Sequence, residues 1–350
     1  MKINELEPFD NCPALDGYHC QTNSLAKIFY YHKCPLSEDM ILGLGAGMGF
    51  IYWHQKGGYP FIGGRGNTKG FFQDIGERTS VGIDVRSTSS QKKAEIALIE
   101  RLLKKEPVMV FADMGFLPWF DLPEGYHFGG HTCLICGFDG KNTVLASDMD
   151  QKASRLKKGF YYPITLEQLR KARNSLYKPF PPKNTYLEFD FSSYHLPRDK
   201  DICASINQTI GSMLNPPISN LGVKGLRRTS KEILKWPGLF SDKELRMNLF
   251  SIYIFVEIGG TGGGCFRYMY SRFLKEAASI TSNNGLEKAS TMIFESGKLF
   301  TELALLFKDA ETSKNLEMNV KTASDKYIKI ADVEEKAFHY ISENIAKVDK

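Results

Sequence analysis

Hydrophobic and polar positions follow two different periodicities along this chain, and the change falls close to residue 195. Before that point, apolar residues at helical spacing are interleaved with short apolar runs of β-strand length. After it, helical spacing continues through nearly every segment, and no strand pattern competes with it. The pattern predicts an α+β domain over residues 1–195, followed by an all-helical domain over residues 196–350.

In the first domain the pattern predicts both helices and strands. Helices are expected at 22–32, 37–44, 91–104 and 165–173, and strands at 48–54, 83–88, 107–111, 132–138, 143–148, 158–163 and 185–190. Ser37 is expected to cap the second helix, because a serine before two acidic residues satisfies the first N–H groups of a helix. In the second domain helical spacing covers 201–214, 218–235, 242–257, 264–280, 286–307 and 311–347, which is typical of a helical bundle.

The composition supports two globular domains and narrows the class of protein. The chain has 350 residues, of which 42% are hydrophobic, enough to build sizeable cores. No apolar run reaches the roughly 18 residues that cross a bilayer. The start Met1–Glu7 is polar and acidic, unlike a signal peptide, so a cytoplasmic location is expected. The seven cysteines form no spacing framework and are expected to be free thiols.

The formal net charge of +5 is mild for this length. It argues against nucleic-acid binding, because no dense basic stripe with interleaved aromatic residues is present. It is compatible with the docking of an acidic protein partner. One cationic neighbourhood is either an ordinary solvated face or such a docking face, and it consists of Arg155, Lys157, Lys158, Arg170, Lys171 and Arg173. No metal site is expected, because the histidines are scattered and no pair has ligand spacing.

Cys20 has a local sequence that favours a reactive thiol. It follows a glycine turn and precedes Leu25, Ile28 and Phe29 at helical spacing, so it lies at or near the first turn of a helix. The N–H groups and the positive dipole of a helix start stabilise a thiolate. A cysteine taken alone is more often a small buried hydrophobic residue, so the assignment as a nucleophile needs a base.

A histidine and an aspartate are expected to meet on a β-hairpin further along. His131 opens the first strand and Asp148 closes the returning strand, and these two ends of an antiparallel hairpin lie side by side. Each has an ordinary structural interpretation, but with Cys20 they supply a nucleophile, a base and an orienting group. Asp150 is the alternative orienting carboxylate if the register shifts, and His127 is the rival base.

Two motifs resemble known sites but have packing interpretations. Cys133 and Cys136 have the CxxC spacing of redox and zinc sites, yet residues three apart on a strand point to opposite faces, which favours core packing. The loop Gly259–Gly264 lacks the Lys-Ser/Thr of a phosphate-binding loop, so a nucleotide role is not favoured.

The same glycine loop leaves two interpretations open. It forms either a tight helix–helix corner or a loop that faces the active site, with Phe266, Arg267 and Tyr270 lining a substrate channel. In the second case Arg267 would bind a substrate carboxylate or phosphate. Tyr52 likewise either walls an acyl pocket or belongs to an ordinary aromatic core.

Several segments, spread over nearly the whole chain, match one known family. They are His19-Cys20-Gln21-Thr22, Leu42–Phe50 with Tyr52, Gly130-His131-Thr132 with Asp148, Ala172-Arg173, Lys178–Lys183 and Gly262–Tyr270. On these segments the chain resembles the butirosin-biosynthesis protein H family, which joins a papain-like N-terminal domain to a helical C-terminal domain. It is also similar to the amide-forming enzyme of polythioamide (closthioamide) assembly.

The resemblance implies an enzyme of antibiotic biosynthesis with Cys20, His131 and Asp148 as its catalytic triad. An acyl group would move from a carrier-protein thioester to a small amine through an acyl-enzyme on Cys20. The carrier protein brings its own phosphopantetheine, so no further cofactor is implied. The alternatives are a hydrolase of the same fold, either a peptidase or an amidase, and a catalytically silent carrier-binding protein.

The resemblance has one departure, before the cysteine. Papain-like enzymes usually have an oxyanion-hole glutamine a few residues upstream, and the segment Asn11–Asp16 contains none. Asn11, Gln21 and the backbone N–H of Cys20 are the candidate oxyanion donors.

Overall fold

The computed structural model describes residues 6–345 except Lys56, Gln151 and Ala153. The chain divides into two compact units: the first comprises Met1–Ile41 and Thr79–Leu196, and the second comprises Leu42–Arg78 and Pro197–Lys350. This division differs from the predicted pair of continuous domains, because residues 42–78 pack with the second half of the chain. The described residues combine helices with antiparallel sheets and end in a helical region.

The helices are α1 (Cys20–Tyr31), α2 (Glu38–Leu44), α3 (Phe71–Thr79), α4 (Gln91–Leu103), α5 (Leu166–Arg173), α6 (Asp199–Leu214), α7 (Gly222–Ile233), α8 (Trp236–Leu239), α9 (Asp242–Tyr253), α10 (Arg267–Thr281), α11 (Asn284–Asp309) and α12 (Leu316–Ile345). The strands are β1 (Met48–Trp53), β2 (Phe61–Arg65), β3 (Gly82–Arg86), β4 (Val108–Ala112), β5 (His131–Phe138), β6 (Thr143–Met149), β7 (Gly159–Thr165) and β8 (Tyr186–Asp190). A π-helical turn, Ile254–Ile258, follows α9, and a short 3-10 turn, Gly264–Phe266, precedes α10.

The first unit is built on a six-stranded antiparallel sheet with the strand order β3-β8-β4-β5-β6-β7. Its central strand β5 is buried along nearly its whole length, which explains its continuous apolar composition. Apolar residues of α4 and α5 pack with strands β4 to β7 in one core, which includes Leu98, Leu102, Val110, Ile135, Ala146, Ile164 and Leu169. This sheet is the rigid support for the site described below.

A tight turn joins β5 to β6 and fixes the positions of their far ends. The carboxylate of Asp139 accepts the N–H groups of Lys141, Asn142 and Thr143 at 2.8, 2.9 and 3.0 Å. Gly140 in this turn has φ +77°, a conformation that glycine adopts without strain. The hairpin therefore returns directly, and the start of β5 lies near the end of β6.

Helix α1 packs against β5 within the first unit. Residues 22–29 of α1 are all buried, and the hydroxyls of Ser24 and Thr132 lie 3.3 Å apart across the contact. The buried residues include the apolar Leu25, Ala26, Ile28 and Phe29 together with the polar Thr22, Asn23, Ser24 and Lys27. The contact fixes the N-terminus of α1 relative to the sheet.

The second unit holds α6–α12 together with the β1–β2 hairpin. Glycines explain why residues 42–78 join it: a Cβ at Gly43 would lie 2.2 Å from the ring of Phe273, and one at Gly64 would lie 2.6 Å from Sγ of Cys265. Only glycine lets these side chains approach the backbone so closely. The close contacts attach residues 42–78 to the helices of the second half.

Nearly all predicted elements are present, with ends shifted by a few residues. Strand β2 and the helices α3 and α8 were not predicted, and the predicted helix 218–235 corresponds to α7. The last two residues of the predicted helix 311–347 lie outside the described residues. None of the helices in the described part of the chain is both long and apolar enough to span a membrane.

Candidate active site

The thiol of Cys20 lies at the N-terminus of a helix, because α1 begins at this residue. The preceding His19 has an extended backbone and caps the helix, with its Nδ1 accepting the N–H of Thr22 at 3.4 Å. The sulfur is hydrogen-bonded to the side chain of His131 and to the backbone N–H of Thr132. The start of α1 and the start of β5 therefore meet at this thiol.

Asp148 holds the imidazole of His131 on its other side. The Nε2 of His131 lies 2.8 Å from Oδ2 of Asp148. The same oxygen accepts the indole N–H of Trp119 at 3.0 Å, and Oδ1 accepts the N–H of Met149 at 2.8 Å. Since Nε2 is occupied, the ring presents Nδ1 to Cys20. The structure thus brings the three predicted side chains together in one hydrogen-bonded series.

The electrostatics of this series favour a charged pair. Burial raises the pKa of the Cys20 thiol, but the hydrogen bond and charge of His131 outweigh it and bring that pKa below its ordinary value. Burial also opposes the charged form of His131, yet the charge and hydrogen bond of Asp148, helped by Cys20, raise the pKa of His131 to about 10. Both directions favour the form in which the imidazole carries the proton and the thiol is ionised.

Aromatic rings enclose the histidine and its carboxylate. Phe120 meets the ring of His131 edge to face, with 5.1 Å between the ring centroids, and Trp119 stacks on Tyr162 at 4.8 Å. His131 is 5% exposed and Asp148 is 2% exposed, so water has little access to their hydrogen bond. Trp119 and Phe120 were not among the predicted site residues. The one sequence feature that could have indicated their role was their position as adjacent aromatic residues in the loop before β5.

Glu38, the first residue of α2, holds the turn that leads into α1. Its carboxylate accepts the backbone N–H groups of Tyr18 and His19 at 3.0 and 3.1 Å, the hydroxyl of Thr22 at 2.7 Å and the amide of Asn23 at 3.2 Å. Burial raises the pKa of this carboxyl group, although its four donors act in the opposite direction. Four donors around one carboxylate match the ionised, acceptor-only form.

Gly17 shows how closely this carboxylate approaches the turn. A Cβ at position 17 would lie 2.0 Å from Oε1 of Glu38 and 2.2 Å from the side-chain nitrogen of Asn23. From the sequence, Glu38 was expected only in the first turn of a helix, because its contacts with residues 18–23 depend on the tertiary structure. Glu38 and Gly17 together fix the position from which Cys20 is presented.

Asn11 and Gln21, two of the predicted oxyanion donors, lie at opposite ends of α1. Asn11 is exposed and lines a cavity of about 410 Å³ beside Tyr31 and Lys33, at the C-terminal end of α1. A helix of this length separates its two ends by about 16 Å, so Asn11 lies far from the thiol and its prediction is wrong. Gln21 directly follows Cys20 and is partly buried. Gln21 and the backbone N–H of Cys20 stay predictions as oxyanion donors.

Arg267 does not have the substrate-binding position that the sequence suggested. It is 0% exposed, and its guanidinium donates to the two carboxylate oxygens of Glu334 at 2.7 and 3.0 Å. It also donates to the backbone carbonyls of Gly49 and Cys265, both at 2.7 Å. A substrate anion has no access to it, so the channel-lining prediction is wrong for this residue. The arginine instead ties the glycine loop to α12 and β1.

The other second-unit candidates are also interior residues. Tyr52, Phe266 and Tyr270 are 2%, 4% and 0% exposed, as expected for an aromatic core. The glycine loop is likewise occupied from inside the unit: the carboxylate of Glu257 accepts the N–H of Gly264 at 3.0 Å. These positions agree with a tight structural corner and not with a loop that binds a ligand.

The rival base His127 belongs to a separate pair. Its Nδ1 lies 3.0 Å from Oδ2 of Asp113, and its ring stacks on Tyr177 with 3.4 Å between the centroids. The alternative carboxylate Asp150 is buried, but it makes no hydrogen bond to His131. In this structure the orienting carboxylate is therefore Asp148.

The cysteines other than Cys20 have no comparable surroundings. All seven cysteines are free, and Cys133 and Cys136 are completely buried in β5. Burial raises the pKa of Cys133, and a hydrogen bond with Cys12 together with burial raises that of Cys136. These two thiols pack in the core, as the sequence analysis favoured. Among the residues that the structure describes, no group of three or more metal-ligating side chains converges.

Much of the predicted cationic neighbourhood is neutralised by nearby carboxylates. Lys158 lies 2.6 Å from Asp16, Arg170 lies 2.7 Å from Glu95, and Lys171 lies 2.9 Å from Glu167. Arg173 and Lys157 are buried, at 3% and 7% exposure. These positions favour ordinary surface and core charges over a face dedicated to docking.

Comparison with known proteins gives two matches to family models. Residues 19–149 match the model described as butirosin biosynthesis protein H, N-terminal, and this range contains Cys20, His131 and Asp148. Residues 167–341, half of the chain, match the model described as a domain of unknown function, DUF4872. No curated protein matches the chain.

Proposed function

The chain belongs to the family defined by the domain DUF4872, and residues 19–149 support membership of the butirosin biosynthesis protein H family; on this premise we propose that it is a cysteine-dependent acyltransferase that forms an amide. That family suggests a biosynthetic enzyme with an acyl-transfer role. The donor in this proposal is a carrier-protein thioester, and the acceptor is a small amine.

The first step loads the acyl group onto the enzyme. The thiolate of Cys20 attacks the carbonyl carbon of the donor thioester, the new C–S bond forms, and the C–S bond to the carrier breaks. The departing thiolate takes the proton of the His131 imidazolium. Exchange of one thioester for another changes the free energy little, so a poised thiolate is the main requirement.

The second step releases the product. The amine attacks the acyl carbon on Cys20, Nδ1 of His131 takes a proton from the attacking nitrogen, the C–N bond forms and the C–S bond breaks. The thiolate–imidazolium pair is restored. Asp148 keeps the ring oriented through Nε2 in both steps, and the backbone N–H of Cys20 is the proposed donor to the oxyanion.

The observation that carries the proposal is the hydrogen-bonded series from Cys20 through His131 to Asp148. The pKa of the thiol is lowered and that of the imidazole is raised, which is the electrostatic requirement of a cysteine nucleophile. A hydrolase would use the same three residues, with water in place of the amine, so the two functions differ only in the acceptor.

The test is to supply acyl thioesters, on a carrier protein or on N-acetylcysteamine, with and without amines. We expect an acyl adduct on Cys20 by mass spectrometry and an amide product when an amine is present. Free acid as the only product would make the protein a hydrolase. Absence of any adduct would support a catalytically silent binding protein. The variant Cys20→Ala should lose the adduct, whereas the matched control Cys34→Ala should keep it.

A further inference from the structure

Strand β3 is an open edge of the six-stranded sheet. It lies at one end of the strand order and pairs with β8 through five residue pairs, from Gly82 with Asp190 to Arg86 with Tyr186. Four of its five residues are exposed, and Val85 is 52% exposed. Among the residues that the structure describes, no segment other than β8 makes a backbone hydrogen bond to β3. The N–H and C=O groups along such an edge are available to pair with another strand.

The opposite edge of the sheet, β7, is protected. Gly17 and Lys157 exchange backbone hydrogen bonds at 2.9 and 2.8 Å just before this strand, and the N–H of Gly159 donates to the carboxylate of Asp16 at 3.0 Å. Pro163, inside β7, has no N–H to offer to a further strand. A covering segment and a proline are two ways in which sheets prevent pairing at an edge, and β3 has neither.

The charges of β3 match a second copy of the same strand. Asp84 and Arg86 lie on one face, with 2.9 Å between their charged groups, and 68% and 54% of their side chains are exposed. When two copies of a strand pair antiparallel about a two-fold axis, the register decides which side chains lie opposite each other. With the axis at Val85, Asp84 of each copy lies opposite Arg86 of the other. An axis at Asp84 or at Arg86 would place like charges opposite each other, which is destabilising.

We propose that β3 is an interface between two copies of this chain, in which the two β3 strands pair antiparallel about a two-fold axis at Val85. The two six-stranded sheets then form one continuous sheet. Two pairs of Asp84 with Arg86 cross the interface on one face, and the two Val85 side chains meet on the other.

The position and size of this interface have two consequences. Strand β3 is four strands away from β6, or about 19 Å at the ordinary strand spacing, so the interface is remote from Asp148 and the inference does not depend on the proposed acyl transfer. A pair of five-residue strands is small compared with the roughly 1,600 Å² of a standard interface, so we expect a dimer that dissociates on dilution.

Sedimentation velocity of the full chain, from about 1 μM to about 500 μM, measures this self-association. We expect the dimer fraction to rise with concentration. Asp84→Arg and Arg86→Asp each place like charges opposite each other across the axis, so each should weaken self-association by about tenfold or more. The control Asp121→Arg reverses an exposed charge of the same unit outside β3 and should leave the dimer unchanged.

Mixing the two variants tests the register and their folding together. The Asp84→Arg chain carries two cations on β3 and the Arg86→Asp chain carries two anions, so each opposes the charges of the other. We expect an equimolar mixture to form a heterodimer at a concentration where each variant alone is monomeric, which misfolded variants could not do. The inference is wrong if the unaltered protein stays monomeric throughout the range, if neither variant weakens the dimer, or if the mixture forms no heterodimer.

Discussion

His131 presents Nε2 to Asp148 at 2.8 Å, and this leaves Nδ1 as the nitrogen that faces Cys20. The carboxylate thereby sets both the tautomer and the direction of the ring. Because Trp119 donates to the same carboxylate oxygen, Asp148 is itself held in place by a residue outside the predicted triad.

The paired charges predict how Cys20 alkylation depends on pH. The pKa of Cys20 is lowered by His131, so the pH profile of its reaction with iodoacetamide should have its inflection below about pH 8.5, the ordinary thiol pKa. In His131→Ala the inflection should move up to the ordinary range or above it. Cys34 is an internal reference, because burial raises the pKa of that thiol and it should react more slowly at neutral pH.

The same pair makes a signed prediction for stability. The pKa of His131 is about 10 in the folded protein and about 6.5 when unfolded, so its contribution is complete below about pH 6.5 and is lost as the pH rises toward 10. Unfolding in denaturant across this range should show a decline that is smaller in His131→Ala. An equal decline in both proteins would contradict the assignment of the proton to His131.

Asp148→Asn should reduce kcat/KM for acyl transfer by about a hundredfold or more, because an amide fixes the imidazole less well and does not stabilise its charge. Trp119→Phe removes one of three donors to the carboxylate, so its effect should be smaller. Steady-state kinetics with one thioester measures both variants, and circular dichroism checks that each is folded. An unchanged rate in Asp148→Asn would exclude its orienting role.

Glu38→Gln should slow the alkylation of Cys20 and lower the free energy of unfolding by about 2–3 kcal/mol. The carboxylate of Glu38 can only accept hydrogen bonds, and all four of its partners donate them. The side-chain NH2 of a glutamine is itself a donor and would therefore face donors without an acceptor. The control Glu124→Gln changes an exposed carboxylate and should have no effect. Alkylation at the wild-type rate in a folded Glu38→Gln protein would show that the turn does not depend on this residue.

Arg267→Met should destabilise the second unit by about 3–5 kcal/mol, because it leaves the carboxylate of Glu334 buried without its cation. The double variant Arg267→Met, Glu334→Met should recover part of this loss. Arg227 forms partly exposed ion pairs with Asp332 and Glu335 of α12, so Arg227→Met is the matched control. It should lower the free energy of unfolding by less than about 1 kcal/mol. Denaturant unfolding measures all of them. A double variant as unstable as the single one would contradict the explanation.

The convergence of Cys20, His131 and Asp148 was predictable because it depends on short-range patterns. Helical spacing after Cys20 fixes the helix start, and the alternation on either side of the Asp139 turn fixes the hairpin that brings His131 next to Asp148. Both patterns are read within one or two elements, where the periodicity of the backbone determines which side chains meet.

The remaining features depend on contacts between residues far apart in sequence. Glu38 acts on a turn about twenty positions earlier, and the partner of Arg267 is 67 positions away, so neither relationship leaves a local pattern. Asn11 was misassigned because proximity to Cys20 in sequence does not reveal which end of α1 the chain passes. Strand β2 was missed because its glycines, Gly63 and Gly64, weaken the strand signal.

The polypeptide crosses between the two units three times, after Ile41, Arg78 and Leu196. A fragment truncated at residue 196 would carry the 42–78 insertion without the helices that cover it, leaving rings such as Phe50, which packs with Phe300 and Tyr327, bare and prone to aggregation. During synthesis on the ribosome that insertion must wait for the C-terminal helices to emerge. Recombination that exchanges the helical half between relatives would have to transfer this insertion as well.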